Sequence, residues 1–359
     1  MRYLLGFMLL VLSVPAPLYA VQVDGLYTTT VAVNDQSQVA RNAAIRVAIE
    51  KVVQKVSGRH SILQNSSLQA ALSNVGSYVE QFQYKPVEDD ELGYWLIVSF
   101  QKAALDRVMQ QFDVPVWGNN RPDVLVWFAV EGETEKYLVS AESENISALL
   151  KQAASDTGLA ITLPLLDLED QRAVSFNDIW AGFSDQILKA SERYSAKQVM
   201  FGHLLQEGDD GWRLNWTLIN ANDQHAGFES SDTLESVLPM AFTEVAENLA
   251  NVYAPHGAIK KNTLVITVTG VQSLSKFVEV MQYLSSLDMV KKLGWNQMLD
   301  DSVTFELSLT GSVSVLKGII ALNNMLSPDV APNSTVTNAT DTQQYPAQAF
   351  KQRLYYRAN

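Results

Sequence analysis

Apolar positions change their spacing three times along the chain, and each change predicts a new set of elements. Leu26–Val33 reads as a strand. Asp35 and Gln38 have the spacing of a capping box, and Ile45, Ala48, Ile49, Val52, Val53 and Val56 then recur at steps of three and one, a single helical stripe. Gly58 suits the residue just past that helix. A short helix over Ser67–Leu72, strands over Tyr78–Val87 and Gly93–Phe100 across the acidic turn Glu88–Glu91, and a helix over Lys102–Phe112 complete a β-α-β-β-α unit. That order predicts helices on one face of a mainly antiparallel sheet.

Trp117-Gly118-Asn119-Asn120-Arg121-Pro122 has the composition of a linker. Beyond it, Val124–Val130 is apolar without alternation, as in a strand covered on both faces. Helices are expected around Ile146–Ala154 and Ile179–Tyr194, with a strand near Ala160–Leu163 between them. Gln198–Leu205 and Trp212–Ile219 read as a hairpin, because Glu207–Gly211 is a strong turn signal. Leu234, Val237, Leu238, Ala241, Phe242, Val245 and Leu249 mark a long helix after it. The third pattern runs from Lys261: a strand over Leu264–Val268, a helix with Leu274, Phe277, Val278, Met281 and Leu284, and a strand near Val290–Met298. Strict alternation at Val303, Phe305, Leu307 and Leu309 follows, then a helix through Val315, Ile319, Leu322 and Leu326, and a final strand within Phe350–Arg357. This is the ferredoxin-like order, interrupted by a polar stretch, 327–346, expected to be mobile. The predicted fold is therefore multidomain α+β and α/β: a β-α-β-β-α domain over 21–117, a mixed-sheet α/β domain over 122–256, and a ferredoxin-like domain over 261–359.

Four stretches, Val23-Asp24-Gly25-Leu26-Tyr27, Arg41 through Gly58-Arg59, Tyr78-Val79-Glu80-Gln81-Phe82 and Arg121-Pro122-Asp123-Val124-Leu125-Val126-Trp127, together resemble domain-of-unknown-function family 2066 of bacterial envelope proteins. The resemblance implies an exported protein of Gram-negative bacteria and no particular chemistry. Ala40–Ile45 is also similar to amino-terminal modules of flagellar and outer-membrane accessory proteins. The middle domain's element order is similar to the amino-terminal domain of the Tol-system periplasmic protein. Folds do not carry function by themselves.

The start of the chain sets the expected compartment. Arg2 precedes an apolar run, Leu4–Val14; Pro15 and Pro17 break it, and Ala20 offers a small residue for cleavage before Val21. This is the order of a secretory signal peptide over residues 1–20, and the prolines leave the run short of a spanning helix. A periplasmic protein is expected, with no integral membrane span after cleavage. The chain has no cysteine, so it is not a lipoprotein and has neither disulfides nor thiol chemistry. A hydrophobic content of 47% is that of a globular protein. The formal net charge of −13 argues against nucleic acid as a partner.

No catalytic, cofactor or metal constellation emerges. The histidines, His60, His203, His225 and His256, have no metal-ligand spacing; an approach of His203 to His225 across neighbouring strands is the one metal arrangement the sequence permits. Glu131-Gly132-Glu133-Thr134-Glu135 and Glu88–Glu91 read as solvated acidic turns rather than shielded catalytic pairs. Of the seven tryptophans, Trp180, Trp212 and Trp216 fall on apolar faces, whereas Trp117 and Trp295 have the weaker core case. Trp117, in the linker, is the expected partner contact. These readings favour an accessory protein working through contacts with periplasmic or envelope proteins, in envelope assembly, with no catalytic activity. The alternatives are a binding protein for a small molecule or glycan fragment, held between the first two domains, and an enzyme whose residues converge only in space.

Overall fold

A computed structural model of the chain describes residues 23–87, 93–208, 211–220, 223–254, 261–330 and 352–359. The expected leader with its Ala20–Val21 cleavage site, the acidic turn Glu88–Glu91, His256 and most of the 327–346 stretch lie outside the described residues. Among the described residues there are ten α-helices and three sheets, mixed or antiparallel, so the chain is a multidomain α/β protein.

The amino-terminal part consists of β1 (Thr28–Val33), α1 (Gln38–Ser57), α2 (Ser66–Leu72), β2 (Val79–Pro86), β3 (Tyr94–Phe100) and α3 (Lys102–Gln111). The three strands pair antiparallel in the order β1-β3-β2. The whole predicted stripe of α1, from Ile45 to Val56, is buried in one core with Leu96, Val98 and Phe100 of β3. Each buried isoleucine or valine of the stripe contributes about 1.5–3 kcal/mol. The helix starts differently from the expected Asp35–Gln38 box. Ser37 is the cap, its Oγ accepting from Ala40 N, while Asp35 is used one step earlier, accepting from Ser37 N at 2.7 Å. Gly58 ends the helix in the left-handed region, φ 67°, as its position implies.

The middle part follows as β4 (Asp123–Glu131), β5 (Lys136–Leu138), α4 (Glu144–Thr157), β6 (Ala160–Thr162), α5 (Leu168–Ala173), α6 (Phe176–Ala181), α7 (Ser184–Ser191), β7 (Gln198–Gln206), β8 (Trp212–Asn220), β9 (Asp223–Ser231) and α8 (Leu234–Tyr253). Its sheet runs β5-β4-β7-β8-β9, with β6 also on β4; β4 and β7 are parallel and the β7-β8-β9 pairs antiparallel. The unbroken apolar run of β4 has the predicted cause. Val124, Val126, Phe128 and Val130 pack under α4 and α8, while Leu125, Trp127 and Ala129 pack under α6 and α7. The single helix expected over Ile179–Tyr194 is split, because Gly182 turns left-handed between α6 and α7. The short β5 and α5 carry too little periodicity to be foreseen.

The carboxy-terminal part comprises β10 (Lys261–Thr269), α9 (Leu274–Ser286), β11 (Val290–Leu299), β12 (Ser302–Thr310), α10 (Val313–Leu322), β13 (Leu326–Pro328) and β14 (Gln352–Ala358). All four alternating residues of β12 are buried. The buried face of α9 is centred on Val280, Tyr283 and Leu284, which leaves Leu274, expected on it, exposed. The sheet order is β11-β12-β10-β14-β13. The element order is the predicted one with a strand added, β13, where Leu326 was expected to continue the helix, and β14 runs parallel to β10, where a ferredoxin-like sheet has antiparallel neighbours throughout. The cause is β13. It leaves α10 in the antiparallel sense but takes the edge position, pairing antiparallel to β14. The chain then re-enters the sheet from the opposite end. No helix among the described residues is long and apolar enough to cross a membrane.

Candidate functional site

The segment read as a linker is instead a buried junction. Trp117 and Arg121 are each 1% exposed, and Asn120 is buried beside them. Two left-handed glycines, one ending α1 and one ending α4, make room for this pair. A Cβ on Gly58 would lie 2.7 Å from the Trp117 ring, and one on Gly158 would lie 2.5 Å from Arg121 Nη1. The Arg121 guanidinium donates through Nε to Gly118 O (3.1 Å), through Nη1 to Gly158 O (3.0 Å), and through Nη2 to Lys55 O (2.9 Å) and Trp117 O (2.8 Å). It also stands 4.2 Å from the Trp117 ring centroid. One cation thereby ties the end of α1 to the end of α4 through carbonyl oxygens alone. Burial pulls its pKa down to about 9, opposed by Tyr27 and Asp288, so it stays protonated at neutral pH. Main-chain bonds from Trp117 N to Val56 O and from Val23 N to Asn119 O complete the clasp. Trp117 thus belongs to the core, and the expected partner contact there is replaced by a structural one.

The same junction reaches the carboxy-terminal part. Asn119 N donates to Asp288 Oδ2 at 2.7 Å and Asn120 Nδ2 to Ser286 O at 3.2 Å. Alongside, Tyr27 Oη donates to Asp106 Oδ1 at 2.5 Å, and Lys102 Nζ lies 3.3 Å from Asp106 and 4.0 Å from Asp288. Burial, followed by the Asp106 carboxylate, pushes the Tyr27 phenol well above its ordinary range. The charges here are matched by one another, which makes the cluster a brace between the three parts.

The sequence's other candidates separate. His203 and His225 stand on β7 and β9 with β8 between them. His203 stacks on Trp180 with centroids 4.3 Å apart, and its Nε2 faces Asn215 Nδ2 at 2.9 Å, while His225 pairs with Asp223 at 3.1 Å. Burial lowers the His203 pKa, and its contact with Trp180 O works against that. Among the described residues no cluster of three or more His, Cys, Asp or Glu is placed to hold a metal ion. Glu131 is paired with Lys136 at 2.8 Å across the β4–β5 turn. An ionic clamp absent from the sequence reading lies nearby: buried Asp170 accepts from Tyr194 Oη, Leu166 N and Arg193 Nη1. Arg193 also holds the Asp167 carboxyl well below the usual carboxylate range.

Of the two tryptophans with a weak core case, Trp295 is the exposed one. It lies on β11, the sheet's edge strand, and is 58% exposed, with Met298 at 50% and Leu299 at 60% beyond it. Its inner edge meets Phe277 in a T-shaped contact at 6.1 Å, and Phe277 stacks on Phe305. The β11–β12 hairpin therefore carries an apolar tip anchored in the core at one end. Irregularities between Val290 and Lys292 and between Trp295 and Gln297 interrupt its ladder, a feature that discourages indiscriminate edge pairing.

A family described as Domain of unknown function (DUF8605) matches residues 20–118, the amino-terminal part and the start of the junction. This overturns the resemblance to family 2066: the stretches from Val23 to Phe82 that suggested it fall within the span matched by the other family. No curated protein matches the chain.

Proposed function

We propose that this chain is an exported accessory protein that works through contacts with proteins of the cell envelope, and that the tip of the β11–β12 hairpin is a contact surface. The observation that supports this is Trp295 and Met298, two large apolar side chains exposed on one open edge strand, with Leu299 exposed beside its turn. Water-exposed apolar surface of this kind gains free energy when covered. Tryptophan is also enriched among the residues that dominate interface energies, because its ring buries a large area at little entropic cost. The bulged backbone fits recognition through side chains better than continuous strand addition.

The test is affinity capture from an osmotic-shock extract with wild-type protein and three variants. Trp295→Ala and Met298→Asp are expected to lose a partner that wild type retains, with affinity weaker by roughly thirtyfold for the tryptophan. Leu274→Ser, at a similarly exposed apolar site on α9, is expected to keep it. A captured set indifferent to Trp295 and Met298 sinks the contact surface. A protein that retains Met1 and stays with the membrane fraction sinks the export.

A further inference from the structure

A cleft of about 350 Å³ opens where the end of α1 faces α4 and α8. From the amino-terminal part it is lined by Lys51, Lys55, Arg59 and His60, and from the middle part by Asp156 and Glu235 among others. It thus carries an excess of side-chain cations in a chain whose formal net charge is −13. Gly58, Pro239, Thr243 and Ala246 also line it. A concave, partly apolar site with a few convergent polar groups, set between two domains, is the usual form of a small-molecule site.

Arg59 stands out chemically. Its Nε and Nη2 are shut off from water and meet no hydrogen-bond acceptor among the described residues. Its backbone is held on both sides by Ser57, whose Oγ accepts from Arg59 N at 3.1 Å and donates to Arg59 O at 3.3 Å. Leaving buried donors unpaired is costly, and a guanidinium fork is the side chain that best matches a two-oxygen anion. Lys51 stands one helical turn from Lys55 on the same cleft and has no ion pair with a described residue. Lys55 itself is committed elsewhere, donating to Gly25 O and Thr28 O at 3.3 and 3.4 Å. His60 is held by Gln54, Nε2 to Nδ1 at 3.0 Å. The two carboxylates at the rim disfavour a bare polyanion and suit a ligand with one anionic group and a polar body.

We infer that this cleft binds a small organic oxyanion, a phosphate or a carboxylate, with Arg59 as the anchor and Lys51 as the second cation. The hairpin contact proposed above does not depend on it. The experiment is titration calorimetry and thermal melting of the full mature chain with inorganic phosphate and with acetate, against chloride at matched ionic strength. Saturable binding of at least one of the two oxyanions is expected, weakened roughly ten- to hundredfold in Arg59→Gln. Lys51→Gln should weaken it less, and Lys189→Gln, on the exposed side of α7, should leave it unchanged. If Arg59→Gln fails to fold, Arg59→Lys, which keeps the charge and loses the fork, and Lys51→Gln carry the test. Absence of saturable binding to either anion overturns the inference. So does an effect that chloride reproduces, or binding indifferent to both Arg59 and Lys51.

Discussion

Replacing Arg121 by methionine keeps most of the side chain's volume and removes every donor. Four carbonyl oxygens, of Lys55, Trp117, Gly118 and Gly158, then lose a partner at a buried site. An unpartnered buried polar group costs about 1–3 kcal/mol, and the lost cation–π contact with Trp117 adds about 0.5–2 kcal/mol. Against this stands the recovered cost of burying a cation, several kcal/mol in its own right. Carbonyls have a second lone pair, so the low end of the first range applies, and the expected net loss is about 3 kcal/mol. For a cooperative unit of this size that lowers the melting temperature by roughly 6–12 °C. Arg121→Lys retains the charge but not the planar fork, and should lose about half as much. Calorimetric melting of the three proteins measures the effect, and limited proteolysis locates it: the methionine variant should be nicked near 117–122, where wild type resists. A methionine variant that melts at or above wild type refutes the reasoning. It would show that the guanidinium's desolvation outweighs its four bonds and that the junction is held by apolar packing alone.

Two further outcomes follow from the geometry. Deleting residues 352–359 removes β14 from between β10 and β13, so amide-exchange protection of Leu264–Val268 should collapse; protection equal to wild type would show that β14 is dispensable. Burial lowers the Lys55 pKa from 10.5 to about 8, against the pull of Asp156. The native state therefore binds fewer protons than the unfolded chain between those values, and stability should rise with pH across that window, by at most about 3 kcal/mol. Urea melts of wild type and Lys55→Met along a pH series check this, and parallel curves would contradict it.

What the residues settle unaided is which faces of α1, β4 and β12 are covered. The α1 stripe, the two-sided β4 and the alternation of β12 are local patterns. Burial removes the same amount of apolar surface from water whatever partner supplies the cover. Position along the chain could not say what does the covering. Trp117 sits among turn residues and Trp295 in a strand, so local composition pointed to the first as the exposed ring. The fold reversed this because Gly58 and Gly158, far apart in sequence, open a slot at the ends of two helices into which Trp117 and Arg121 fit. Arg59 was legible only as part of a motif, since an unpaired guanidinium is a statement about neighbours. The direction of β14 was equally hidden: its alternation places Leu354 and Tyr356 on one face, but a strand's pattern reads the same in both directions. The choice between parallel and antiparallel pairing was made by β13, which occupied the edge first and required the chain to return from the other end.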